Sequence, residues 1–102
     1  MIIAVDFDQT ISDKRLQMLI KKFVSERNEV WVVTMRRDNE FNRKYLRPTL
    51  EKTNISEFNV IYCNDKPKLE MLQMINADIY IDNQNTEFEN IFNHSNVIPL
   101  LF

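Results

Sequence analysis

Two aspartates two residues apart, Asp6 and Asp8, follow the apolar run Ile2-Ile3-Ala4-Val5 and lead into Gln9-Thr10. Side chains alternate along a strand, so two acids spaced this way point to the same side while Phe7 between them turns into the core. Paired carboxylates at a strand end can meet one divalent cation or face one phosphoryl group. A plain acidic turn would use the same residues, so the rest of the chain has to decide. Three further segments place chemistry-bearing side chains just beyond apolar runs: Thr34 after Val32-Val33, Lys66 and Lys68 around Pro67, and Asp82 after Ile79-Tyr80-Ile81.

These residues need a scaffold, and residues 2–6, 29–34, 59–63, 78–82 and 96–100 read as strands short enough to be buried on both faces. Between the first two, Leu16, Leu19, Ile20, Phe23 and Val24 follow the i, i+3, i+4, i+7, i+8 spacing of a core-facing helix, with Ser12 as its N-cap. Phe41, Tyr45, Leu46 and Leu50 continue the pattern in a second helix, where Pro48 predicts a kink or a new turn. Pro67 opens a third helix that turns Leu69, Leu72 and Ile75 or Met74 inward. Phe88, Ile91 and Phe92 mark a fourth. Strands alternating with helices predict an α/β domain of Rossmann-like, three-layer form: a five-stranded parallel sheet with helices on both faces. Loops at the carboxyl ends of such strands hold the site.

With 102 residues, the chain has room for one domain and not for two. Its 44% apolar and 27% charged residues exclude a disordered chain, and a net charge of −2 is too small to name a partner. Cys63 is the one cysteine, which rules out an internal disulfide. Apolar runs of about five residues fall far short of a membrane span of about 20, and the N-terminus lacks the pattern of a signal peptide. The expectation is a soluble, cytoplasmic protein with no membrane partner. The chain has no glycine at all, so Asn28, Asn54, Asn64, Asn76 and Asn96 are expected to supply left-handed turn conformations.

Taken together, Asp6-Phe7-Asp8-Gln9-Thr10, Val32-Val33-Thr34, Lys66-Pro67 and Ile79-Tyr80-Ile81-Asp82-Asn83 resemble the four motifs of the haloacid dehalogenase superfamily of phosphatases, in order and over nearly the whole chain. The resemblance implies a Mg²⁺-dependent phosphatase. Asp6 would be the nucleophile, Asp8 the general acid and base, Thr34 a donor to a phosphoryl oxygen, and Lys66 the cation that offsets developing charge, with Lys68 its competitor. Mg²⁺ would be held by Asp6, by the backbone carbonyl of Asp8 and by Asp82. Two departures stand out: Gln9 where the family usually has Gly, and Asn83 where it usually has a second acid. The bulkier Gln9 could alter the turn, and the Asn83 amide can still hold a metal-bound water but adds no charge, so metal affinity could be weaker than the family's. Neither change removes a residue that makes or breaks a bond.

The intervals from Asp8 to Thr34 and from Cys63 to Lys66 leave no room for the family's cap domains. Capless members act on large substrates or form oligomers that cover one another's sites, so a homo-oligomer is one expectation. The motifs are also similar to those of polynucleotide kinase phosphatase domains. A nucleic-acid 3′-phosphate therefore leads the substrate classes, ahead of nucleotides and sugar phosphates. The competing reading is a noncatalytic phosphoacceptor or partner-binding module on a degenerate version of the same fold.

The remaining candidates have plainer readings. Arg36, Arg37, Arg43, Lys44 and Arg47 are expected on a solvated helix face, with steering of an anionic substrate as the other possibility. His94 reads as structural, Cys63 as a small buried hydrophobe and Trp31 as core.

Overall fold

The computed structural model describes residues 1–102. Its elements, in chain order, are β1 (Ile2–Val5), α1 (Lys14–Ser25), β2 (Glu29–Thr34), α2 (Glu40–Thr53), β3 (Val60–Tyr62), α3 (Leu69–Met74), β4 (Ile79–Asp82), α4 (Phe88–His94) and β5 (Ile98–Leu101). The five strands form one sheet in the order β3-β2-β1-β4-β5, every pair parallel. This is the α/β architecture the strand–helix alternation predicts, compatible with a Rossmann-like fold.

Each face of the sheet is closed by two helices. Ile3, Val5, Val30, Val32 and Ile81 pack with Leu16 and Ile20 of α1 and Leu46 and Leu50 of α2. On the other face Ala4, Val33, Tyr80 and Val97 pack with Leu72 of α3 and Ile91 of α4. Burying one Leu or Ile side chain is worth about 1.5–3 kcal/mol, so these two apolar layers are what hold the strand ends in place. No helix is long and apolar enough to cross a membrane.

From β1 the chain builds outward through β2 to β3, then returns to add β4 on the opposite side of β1. The strand order thus reverses between β1 and β4. In an open parallel sheet that reversal leaves a crevice at the carboxyl ends of the two strands. Asp6 follows β1 and Asp82 ends β4, and the Asp6 N–H donates to the Ile81 carbonyl at 2.8 Å.

Several local expectations are corrected. The N-cap of α1 is Asp13, whose carboxylate accepts from the N–H groups of Arg15 and Leu16, one residue beyond Ser12. Helix α2 runs through Pro48 without a break. The carbonyl that loses its partner is that of Lys44, and both residues are exposed, so water can serve it. The buried stripe of α2 is Asn42, Leu46, Leu50 and Thr53, which leaves Phe41 and Tyr45 about 100° off the core direction and in solvent. Leu19, Met74 and Phe92 also face solvent. Helix α3 begins at Leu69, after Pro67 and Lys68.

Asn54, Asn64 and Asn76 take the left-handed conformation as expected, joined by Gln9, Arg27 and Asp65. Arg27 does so where Asn28 was expected. Gln9 has φ 60° and ψ 8°, so a side chain occupies the turn that the resemblance associates with Gly, at a conformational cost.

Candidate active site

A buried network of charge fills the crevice between β1 and β4. Lys68 is 3% exposed, and its Nζ donates to Asp6 Oδ1 at 2.5 Å and to the Tyr80 hydroxyl at 2.6 Å. Tyr80 in turn donates to Asp82 Oδ2 at 2.6 Å, and the Lys68 ammonium stands 3.7 Å from that same oxygen. Thr10, fully buried, donates to Asp6 Oδ2 at 2.9 Å and accepts from the Asn83 N–H at 3.1 Å. The second oxygen of Asp82 accepts from the Gln84 N–H. Charges taken out of water persist only when paired and hydrogen-bonded, and each of these is.

The folding reasons lie nearby in the chain. Tyr80 and Asp82 are two residues apart on β4 and so share a face, which puts the phenol beneath the carboxylate. Lys68 reaches them because the turn after β3 doubles back through two left-handed residues, Asn64 and Asp65. That turn leaves Lys66 exposed and directs Lys68, at the N-terminal boundary of α3, into the crevice. Of the two lysines, it is Lys68, and not the preferred Lys66, that the structure places against the acids. The available signal was that a lysine two residues further on starts the helix, where its side chain can turn toward the sheet.

Burial pushes the Asp6 carboxyl above the usual carboxylate range, while the Lys68 ammonium pulls it back. Burial also raises the Tyr80 hydroxyl, reinforced by its bond to Asp82, so the phenol keeps its proton and remains a donor.

Asp8 lies outside this network. Its side chain is half exposed, and it accepts from Arg36 Nε and Nη2 at 2.8–3.2 Å. Arg36 is thus a clamp on Asp8 and not part of a solvated helix face. Its Nη1 donates to Asn42 Oδ1 at 2.8 Å, and its guanidinium lies 4.4 Å from the centre of the Tyr45 ring. Thr34 is fully buried at the end of β2, where its Oγ1 accepts from the Arg36 N–H at 3.2 Å. It shares no hydrogen bond with the Asp6 network.

The donor set suits a hard divalent cation. Asp6 and Asp82 bring two carboxylates to neighbouring strand ends and Lys68 returns one positive charge, so the cluster retains a net negative charge that a cation would offset. No three His, Cys, Asp or Glu side chains gather closely enough to enclose an ion by themselves. The Asp8 carbonyl, 3.4 Å from the same Thr10 oxygen that bonds Asp6, is the further oxygen at hand.

From sequence, Tyr80 and Thr10 were given no role within the motifs that contain them, and Arg36 was named only as one of a basic cluster. A tyrosine inside an otherwise aliphatic strand was a usable signal, since a buried phenol requires a partner. Arg36 gave no local signal, because its partner is 28 residues away in the chain. Cys63 is buried, with burial pushing its thiol up to about 11. His94 lies at the end of α4, where its carbonyl accepts from Gln73 Nε2, and it takes no part in this network. Trp31 packs against the second apolar layer, and its Nε1 is buried without a partner. No protein-family model matches this chain, and no curated protein matches it.

Proposed function

We propose that this chain is a Mg²⁺-dependent, capless phosphatase of haloacid dehalogenase type that hydrolyses a phosphomonoester through an aspartyl-phosphate on Asp6. The observation that carries this reading is the meeting of Asp6, Lys68 and Asp82 at the reversal point of the sheet, with Thr10 fixing the Asp6 carboxylate. A nucleophile, a cation for the phosphoryl oxygens and a second acid are what the chemistry requires.

An Asp6 carboxylate oxygen attacks phosphorus, and the bond from phosphorus to the leaving oxygen breaks as that oxygen takes a proton from Asp8. Water then attacks the phosphorus of the aspartyl-phosphate, Asp8 accepts its proton, and inorganic phosphate leaves with Asp6 restored. Lys68 faces the negative charge that develops on the transferring group, and Tyr80 holds Lys68 and Asp82 apart at fixed spacing. Thr34 would give its hydroxyl proton to a phosphoryl oxygen. Asp6, Asp82 and the Asp8 carbonyl would hold Mg²⁺, which supplies charge neutralisation and orientation of the phosphoryl group. For Asp8 to serve as acid and base it must exchange a bond to Arg36 for the leaving oxygen, which its half-exposed position allows.

The test is hydrolysis of an aryl phosphate by wild type, Asp6→Asn and Asp8→Asn, each with Mg²⁺ and with EDTA. The expected result is metal-dependent turnover lost in Asp6→Asn and reduced by about 10²–10⁴ in Asp8→Asn. Turnover that survives Asp6→Asn would refute the mechanism. Absence of turnover and of Mg²⁺-dependent binding of a phosphate analogue would favour the noncatalytic module. That second reading draws on the resting Asp8–Arg36 pair and on the amide of Asn83.

A further inference from the structure

Phe41 and Tyr45 are the aromatic side chains that α2 leaves in solvent, 72% and 54% exposed, and both are tied to the crevice. The Tyr45 ring packs edge-on against Phe7, the residue between the two motif acids, with centres 5.8 Å apart. Arg36 lies over the Tyr45 face while it grips Asp8. Phe41 continues the surface, its ring 6.4 Å from that of Tyr45 and tilted by only 15°. The result is a ledge in which Arg36 covers Tyr45 and the Tyr45 and Phe41 rings stack nearly parallel, starting beside Asp8 and running outward.

The ledge is held from below. Asn42 is buried and donates from Nδ2 to the Arg37 carbonyl while its Oδ1 accepts from Arg36, so α2 cannot slide without breaking the clamp. An i, i+4 pair stabilises a helix by only tenths of a kcal/mol, which does not explain two large rings left in water beside a site. A flat ring laid against Phe41, the outer and more exposed of the two, would extend their stack and bury its open face. Residues 36–47 also carry five basic side chains against two acids in a chain of net charge −2, so the occupant is anionic as well as flat. Of the five N–H groups of Arg36, three are engaged by Asp8 and Asn42, which leaves two for sugar or phosphate oxygens.

Resting on the phosphatase reading, we propose that the Phe41–Tyr45 ledge, edged by Arg36, is a stacking subsite for the nucleobase of the phosphorylated nucleoside or strand end whose phosphate enters the crevice. Aromatic stacking accepts any base and is lost with the ring.

The experiment compares kcat and KM for thymidine 3′-monophosphate, a 3′-phosphorylated oligothymidylate and an abasic sugar 3-phosphate, with wild type, Phe41→Ala and Phe41→Tyr. Wild type is expected to favour the two base-bearing substrates by about 5- to 150-fold in kcat/KM. In Phe41→Ala that preference should collapse through KM, and Phe41→Tyr should restore it. A further gain of the oligonucleotide over the mononucleotide assigns the strand end; equality assigns the free nucleotide. Equal rates with and without the base, a preference unmoved by Phe41→Ala, or a greater rate on a phosphotyrosine peptide would overturn the subsite and leave the phosphatase reading standing. Should no substrate turn over, it is that reading which fails. The ledge is then judged by NMR shifts of the Tyr45 ring signals on titration with thymidine 3′-monophosphate: shifts seen in wild type and weakened in Phe41→Ala support it, and their absence in wild type overturns it.

Discussion

Asp6 and Asp8 stand two residues apart and live in different surroundings. Asp6 is inside a closed network with Lys68, Tyr80, Asp82 and Thr10, every member of which is nine-tenths buried or more. Asp8 is at the surface, joined to Arg36 in a pair that rests against Tyr45 and Phe7. A buried charge network tolerates little change, because losing one partner strands another charge away from water. A half-exposed pair exchanges partners readily, since water takes over whatever is released. The division suits the proposed chemistry: the nucleophile is held rigidly, and the acid and base is free to move.

That contrast can be broken most directly at Lys68. Replacing it by Met leaves Asp6 and Asp82 buried without their cation, and we expect a loss of about 3–5 kcal/mol, measured by urea denaturation. Tyr80→Phe keeps the packing and removes the bridge to Asp82, for an expected loss of about 1–3 kcal/mol. On the exposed side, Arg36→Gln should cost about 1 kcal/mol or less in the same assay. If Arg36→Gln proves as costly as Lys68→Met, the distinction between the two regions falls. The two lysines sharpen it further: Lys66→Ala should stay within about 0.5 kcal/mol of wild type.

A separate expected effect is a pH dependence. Burial pushes the Cys63 thiol up to about 11, so the native state holds this proton more tightly than the unfolded chain, whose thiol titrates near 8.5. The stability this provides is complete below the unfolded value and is lost as pH rises through about 11. Urea midpoints of wild type relative to Cys63→Ala should therefore fall between pH 8 and pH 11; a constant difference would contradict the assignment.

Much of the architecture was legible because it depends on patterns local to the chain. Apolar runs of three to five residues marked the first four strands, and the spacing of Leu16 and Ile20 marked the buried face of α1. The same reasoning failed on α2, where Phe41 and Tyr45 satisfy helical spacing as well as the true stripe does. Hydrophobicity alone cannot tell a core ring from one left beside a crevice. At the site, Asp6 and Asp82 were read from their place at strand ends, a property of alternation and order. Lys68 was legible only as the competitor of Lys66, and Arg36 only as one of a basic cluster, because what selects them is three-dimensional: the reversal of the chain at Asn64-Asp65, and a partner on another strand end. The absence of glycine illustrates both sides. Asn54, Asn64 and Asn76 took the left-handed turns from simple propensity, whereas Gln9 and Arg27 did so only because the packed strands and helices around them require it.

The most direct test of the central claim is to acid-quench the protein during turnover of an aryl phosphate with Mg²⁺ and to map any phosphoryl group by peptide mass spectrometry. The account predicts a transient acyl-phosphate on Asp6, absent from Asp6→Asn and from samples without the metal. Turnover with no phosphoryl group on Asp6, or with one on another residue, would contradict it.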